Sequence, residues 1–366
     1  MMGFGLSPSL VPHSPRVTGK RFMEILDTTI RDGGYAVDFN FSCSDVRNIS
    51  SKLEEMGIGL IEIGHGMGLN ASSPKNGVAA QTDEEYMLAA GEVLTRSKFG
   101  MFCIPGIARL EDLQLASDCG ASFVRVGVNA DQIPLTEPYI REAKDLGLTV
   151  MTNYMKSYVL TPEEFAQNVV LSEKYGADCV YIVDSAGSMF PNEIKTYYDA
   201  VRENSEIQLG FHGHNNLGLA VTNSVYCAKL GFDLIDCSLQ GLGRSSGNAC
   251  TEMFLAILEK NGYQTDVDLV ELFRAGYDLL SPITNKDLAD PFDFVCGYAG
   301  FHTSYLDQIH TCADEFDVDP FHLIIQYSKY DQANMDYDKL CSMAAVMQKK
   351  TDFPHSDNPL CSNCAS

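Results

Sequence analysis

His212-Gly213-His214 closes an apolar segment that begins Leu209-Gly210-Phe211, and residues two apart in a strand project to the same side. Both imidazoles can therefore face one ion. Asp32, far upstream, offers a carboxylate oxygen from another strand end. Two nitrogens and one oxygen, with positions left open for water and substrate, suit Mn²⁺, Fe²⁺, Co²⁺ or Zn²⁺. Arg31 cannot ligate a metal, because a guanidinium stays protonated and carries only donors. Beside a Lewis acid it would hold developing oxyanion charge, so the combination stabilises an enolate. Each piece alone is weak. A His-x-His on a strand is commonly incidental, and an Arg-Asp pair is commonly a solvated turn or an ion pair.

Their positions in a repeating pattern join them. Short apolar, β-branched segments recur about every thirty residues with helix-like stretches between, the rhythm of βα units. The strands expected are Met23–Thr28, Gly59–Gly64, Phe99–Ile104, Phe123–Val128, Thr149–Tyr154, Cys179–Asp184, Gln208–His214 and Leu234–Leu239. Helices between them end in turns carrying Gly57, Gly120, Gly147, Gly176 and Gly231, residues that fit the left-handed position after a helix. The pattern specifies an α/β chain, a TIM (β/α)8 barrel, whose chemistry belongs at the C-terminal ends of its strands. Asp32, Glu62, His65, Arg125, Asn129, Asn153, Asp184, His212 and His214 all fall there. Asp184 and Arg125 could equally be an ion pair supporting the site. The glycine-rich turn Gln240–Asn248 lacks the ending of a P-loop; it suits close backbone approach to the site and an extra oxygen ligand from Asn248.

The expected organisation is a disordered tail over 1–22, a catalytic barrel over 23–289, a small helical domain over 290–350 and a disordered tail over 351–366. The helical domain, with Thr303–Phe316 and Pro320–Lys329, is expected to pack against the barrel mouth, and its segment 292–300 to bring Tyr298 to the site. A formal charge of −23 makes nucleic acid and anionic membrane surfaces poor partners. No apolar run reaches the roughly twenty residues of a membrane span. Of twelve cysteines, Cys103, Cys179, Cys227 and Cys237 sit singly in apolar segments, and residues 1–20 lack the apolar core of a signal peptide. A reduced, cytoplasmic protein is expected, with Met23 a possible start and Cys361-Ser362-Asn363-Cys364 in the tail.

Asp27-Thr28-Thr29-Ile30-Arg31-Asp32-Gly33, the His-x-His strand and Gly241-Leu242-Gly243-Arg244-Ser245-Ser246-Gly247-Asn248 resemble the DRE-TIM metallolyase superfamily. Within it the 4-hydroxy-2-oxovalerate aldolases are most similar, through residues 61–73, 104–107, 212–217, Asn223-Ser224 and 297–300; the likeness runs over 23–348. The resemblance implies that Asp32, His212 and His214, with Asn248, hold a divalent ion, most often Mn²⁺, with Mg²⁺, Co²⁺ or Zn²⁺ as alternatives. It implies Arg31 on the pyruvate enolate and Tyr298 near the aldehyde portion of the substrate, while Glu62, Arg125 and Asp184 are expected around the 2-oxoacid from their places at the strand ends. It implies also a homodimer and an acylating aldehyde dehydrogenase partner. One position departs from the family, where a histidine acts as base two residues after the Arg-Asp-Gly motif: here stands Tyr35, while His302 stands where the family has tyrosine. An unperturbed tyrosine titrates near 10. Two alternatives follow: the metal and Arg31 lower the tyrosine so that Tyr35 is itself the base, or the roles are exchanged and His302 or His65 takes the proton.

Two other reactions use this ligand set: condensation of an acyl-CoA with a 2-oxoacid, as in the isopropylmalate and homocitrate synthases, and oxygen activation by iron held on two histidines and a carboxylate. The motifs around His65 and Tyr298 favour the aldolase over the first, and the barrel position of Arg31 argues against the second.

Overall fold

Eight parallel strands close into a barrel, in chain order. The computed structural model describes residues 23–265, 267–347 and 349; the segments 1–22 and 351–366, with the Cys361/Cys364 pair and both expected tails, lie outside the described residues. The strands are β1 (Glu24–Asp27), β2 (Leu60–Ile63), β3 (Lys98–Cys103), β4 (Phe123–Asn129), β5 (Thr149–Met155), β6 (Cys179–Asp184), β7 (Gln208–Gly213) and β8 (Leu234–Cys237). Each is followed by a helix: α1 (Cys43–Glu55), α2 (Asp83–Val93), α3 (Leu110–Asp118), α4 (Glu137–Asp145), α5 (Pro162–Tyr175), α6 (Pro191–Arg202), α7 (Ala220–Leu230) and α8 (Thr251–Lys260). The circle closes where β1 pairs with β8, Asp27 opposite Cys237.

Local sequence sets the helix limits. α1, α2 and α5 open on capping boxes, Ser42 with Asp45, Thr82 with Glu85 and Thr161 with Glu164, each satisfying amides that no helical carbonyl can reach. α5 ends at Gly176 (φ 111°) and α7 at Gly231 (φ 98°), where a side chain would strain the left-handed backbone.

Strand periodicity then builds the barrel interior in layers. Leu60, Phe123, Cys179 and Leu234 belong to one buried cluster. Two residues further along the same strand faces stand Glu62, Arg125, Tyr181 and Asp236, all essentially inaccessible to solvent. On β7 the corresponding positions are Gly210, where a Cβ would meet the Tyr181 ring at 2.4 Å, and then His212. A layer of charge thus lies between an apolar floor and the C-terminal rim.

The chain divides into two compact units. The first runs to Val267 and takes in Ile283–Lys286; the second comprises Asp268–Pro282 and the residues from Asp287 onward. The second holds α9 (Leu269–Leu280), α10 (Pro291–Ala299), α11 (Leu306–Phe316), α12 (Pro320–Ser328) and α13 (Tyr337–Ala344). α9 thus groups with the C-terminal helices, whereas the sequence reading keeps it in the barrel span 23–289. The reason is its contacts: Phe273 packs on Phe294 and Tyr298, and Arg274 lies over Phe321 and pairs with Asp319. No described helix is long and apolar enough to cross a membrane.

Candidate metal centre

Asp32 sits in the turn after β1, where its N–H donates to Thr28 O at 2.8 Å. His212 ends the inward face of β7, and His214 lies one step beyond the strand in an isolated bridge with Asn248. One ligand atom each from Asp32, His212 and His214 lie within 4.8 Å of one another, with both the aspartate and His212 buried.

The remaining contacts of these side chains leave the right atoms for an ion. His212 Nδ1 bonds Asp236 Oδ2 at 2.8 Å, and His214 Nδ1 bonds Gly247 O at 3.3 Å. A carbonyl only accepts, so Nδ1 of His214 carries the proton and its Nε2 offers a lone pair. Burial, then the neighbouring His212, pushes His214 down to about 4, keeping it neutral. Burial alone would favour protonated Asp32, but Arg31 and the two histidines outweigh it and hold the carboxyl below the usual carboxylate range. Asp32 Oδ2 and Asn248 Oδ1 are both buried with no hydrogen-bond partner among the described residues. Two imidazoles whose Nδ1 atoms are engaged, leaving each Nε2 toward the centre, and two unsatisfied buried oxygens fit a divalent cation.

Beneath them runs a continuous ion network. Arg31 Nη1 bonds Asp32 Oδ1 at 2.8 Å and its Nε bonds Glu62 Oε2 at 2.6 Å. Arg125, fully buried, donates to Glu62 Oε1 at 2.9 Å and to Asp236 Oδ2 at 2.5 Å. Two arginines face three carboxylates, so the buried cluster carries one net negative charge. A divalent cation would turn this to one positive, and a monoanionic substrate would restore neutrality. Arg31 is held further by the Phe102 ring, 4.9 Å from its guanidinium carbon, and Arg31 Nη2 is buried without a partner. That is the one group of the network left to donate to a substrate oxygen.

The structure sorts the residues expected from sequence. Arg31, Asp32, His212, His214 and Asn248 meet as described. Glu62 and Arg125, expected to bind substrate, lie one layer deeper and spend their hydrogen bonds on each other, Arg31 and Asp236. They orient the site. Asp184 accepts from Ser188 N at 3.0 Å and Met189 N at 2.9 Å, so its carboxylate shapes the loop after β6. His65 has no free ring nitrogen: Nδ1 accepts from Met67 N at 3.0 Å, which leaves Nε2 to donate to Gly77 O at 3.2 Å, and the ring stacks on Phe39. It fixes a loop and is not placed to take a proton. Tyr35 packs over Gly66, where a Cβ would approach its ring to 2.5 Å. Burial raises the Tyr35 pKa, opposed by Arg31 and Arg244. Tyr298 and His302 belong to the helical unit, where Tyr298 packs on Phe273, and exposed His302 accepts from Ser304 N at 3.2 Å. Sequence reasoning missed Asp236, the acceptor that orients His212; a lone charge on the inward face of Leu234-Ile235-Asp236-Cys237 was its signal.

Comparison with known proteins agrees with this geometry. The family model described as HMGL-like matches residues 22–278. The 4-hydroxy-2-oxovalerate aldolase of Carboxydothermus hydrogenoformans is 36% identical over 328 residues, 89% of this chain and 98% of the relative. The 4-hydroxy-2-oxovalerate aldolase 2 of Nocardia farcinica is 37% identical over 339 residues, 92% and 98% of the two chains. Among solved structures, the HMG-CoA lyase from Brucella melitensis shares the fold, with a TM-score of 0.62 at 22% identity over 72% of this chain and 99% of that one.

Proposed function

The chain belongs to the HMGL-like family, and on that premise we propose that it is a divalent-metal-dependent aldolase, forming or cleaving a 4-hydroxy-2-oxoacid from pyruvate and an aldehyde. The observation that carries this reading is the meeting of Asp32, His212 and His214 with the unpartnered Nη2 of Arg31. Those three ligands, with Asn248 beside them, would hold the ion, for which we take Mn²⁺. Bound there, it would supply Lewis acidity toward the 2-oxo group of the substrate.

The residues of the chain do the rest. Arg31, locked by Glu62, Asp32 and Phe102, donates from Nη2 to the oxygen that gains charge as the enolate forms; preorganised in a buried site, that bond is strong. We assign proton transfer to Tyr35. In cleavage its phenolate takes the proton of the 4-hydroxyl, the C3–C4 bond breaks with its electron pair moving toward the 2-oxo oxygen, and the phenol returns the proton to C3. Burial, with Asp32, keeps the phenol above its ordinary value although Arg31 and Arg244 oppose them, so the active phenolate grows as pH rises. The loop-bound ring of His65 supports this assignment over His65 as the base.

The test is pyruvate release from racemic 4-hydroxy-2-oxopentanoate by Mn²⁺-loaded protein, coupled to lactate dehydrogenase. Metal-dependent release that is lost in Asp32→Asn is expected. Stoichiometric metal without release from this compound or from 4-hydroxy-2-oxoacids with other tails would overturn the reading and direct attention to acyl-CoA condensation.

A further inference from the structure

Every described arginine but one donates to a carboxylate or a backbone carbonyl. The exception is Arg244, at the tip of the glycine-rich turn that carries Asn248. Among the described residues it has no ion-pair or hydrogen-bond partner, and its guanidinium carbon lies 5.1 Å from the centroid of the Tyr35 ring. Its place is held from behind. Lys286 Nζ donates to Gly243 O at 3.0 Å and Ser245 O at 2.9 Å, gripping the carbonyls on either side of Arg244. A Cβ at Gly243 would come within 2.6 Å of the Asn248 amide, so only glycine lets the tip approach the centre this closely. Arg244 is exposed on this clamped loop, yet its charge rests on an aromatic face instead of an acidic side chain. The chain around it has 49 acidic against 26 basic side chains, so an uncommitted guanidinium beside the site is where an anion is drawn.

We propose that Arg244 determines specificity by binding an anionic group at the far end of the aldehyde, so that the preferred acceptor is an aldehyde bearing a carboxylate or a phosphate. The inference rests on the aldolase reading. Tyr35 stands between two cations with separate tasks: Arg31 serves the 2-oxoacid and Arg244 the opposite end of the bond being made or broken. A guanidinium fork pairs with either anion through two parallel hydrogen bonds.

The experiment follows pyruvate consumption by the Mn²⁺-loaded full chain with three acceptors: butanal, succinic semialdehyde, which carries a carboxylate where butanal has a methyl group, and glycolaldehyde phosphate. Wild-type kcat/KM is expected to favour one anionic acceptor over butanal by about tenfold or more, the size of one charge-assisted hydrogen bond. Which acceptor is favoured separates carboxylate from phosphate. In Arg244→Met that ratio falls toward one, and in Arg244→Lys it is intermediate. Equal use of butanal and both anionic acceptors by wild type, or an unchanged ratio in Arg244→Met, overturns the inference while leaving the aldolase standing. Absence of pyruvate consumption with every acceptor overturns both.

Discussion

Asp236→Asn isolates the buried layer beneath the metal ligands. Asp236 Oδ2 accepts from Arg125 at 2.5 Å and from His212 Nδ1 at 2.8 Å, with almost no solvent access for any of the three. Burial works against its ionisation, but Arg125 and His212 outweigh it and keep its pKa below the ordinary value. The asparagine has the same shape and can still accept a hydrogen bond, but it removes the charge. Arg125 would then rely on Glu62 alone, which already serves Arg31. Removing one partner of a buried ion pair typically destabilises by about 3–5 kcal/mol, and the retained neutral hydrogen bond should bring this to about 2–4 kcal/mol. His212 exchanges a charged acceptor for a weaker, neutral one, and weakening the partner that fixes a ligand's tautomer commonly lowers metal affinity by about ten- to a hundredfold. Denaturant unfolding of the metal-free protein reads the first effect, and calorimetric titration with Mn²⁺ reads the second. Arg125→Met is the companion. It too destabilises, yet it leaves the cluster more negative, so its metal affinity should fall less than that of Asp236→Asn or rise. Stability of Asp236→Asn within about 1 kcal/mol of wild type, with an unchanged Mn²⁺ affinity, would refute the reasoning.

Glu252 is buried, and burial raises its pKa to about 7. A carboxyl with a raised folded pKa contributes its stability below the unfolded value and loses it as pH rises through 7. Glu252→Gln, which can still accept from Gln240 N, should therefore gain about 3 kcal/mol relative to wild type between pH 4.5 and pH 8, read from pH-dependent unfolding. Asp319 has the opposite sign: despite burial, His322 and Arg274 lower it to about 2. Its contribution, about 2 kcal/mol, is present above pH 4 and lost as pH falls toward 2, so the stability gap between wild type and Asp319→Asn should close over that window. Tyr35→Phe should abolish turnover while Mn²⁺ binding persists, and wild-type kcat/KM for cleavage should rise from pH 7 to 9 because the phenolate is the active form. A flat profile together with an active Tyr35→Phe would return the base to another residue.

Strand positions were legible because parallel strands buried on both faces read as apolar runs between glycine-ended helices; each observed strand lies within two residues of the expected one at either end. His212 and His214 were legible for the same reason, since strand periodicity alone places them together. Depth was not. Glu62 and Arg125 were recognised as polar groups near strand ends, but whether such a group faces substrate or lies a layer below depends on barrel closure. Arg125 meets Asp236 across 111 residues of chain. Sequence likewise gave no sign that both nitrogens of His65 would be consumed by Met67 and Gly77, because that depends on how the loop after β2 folds back. The inclusion of α9 with the helical unit rests on side-chain contacts of Phe273 and Arg274 that its amphipathic pattern could not assign to a partner.

The most direct test of enolate formation at the Asp32–His212–His214 centre needs no aldehyde. Pyruvate in D₂O is followed by proton nuclear magnetic resonance with metal-free protein, with Mn²⁺-loaded protein and with loaded Asp32→Asn, after removal of the paramagnetic ion from each quenched sample. Loss of the methyl signal only with the loaded wild type is the expected result. Exchange that proceeds equally without metal or in Asp32→Asn, or no exchange by protein holding one Mn²⁺ per chain, would contradict it.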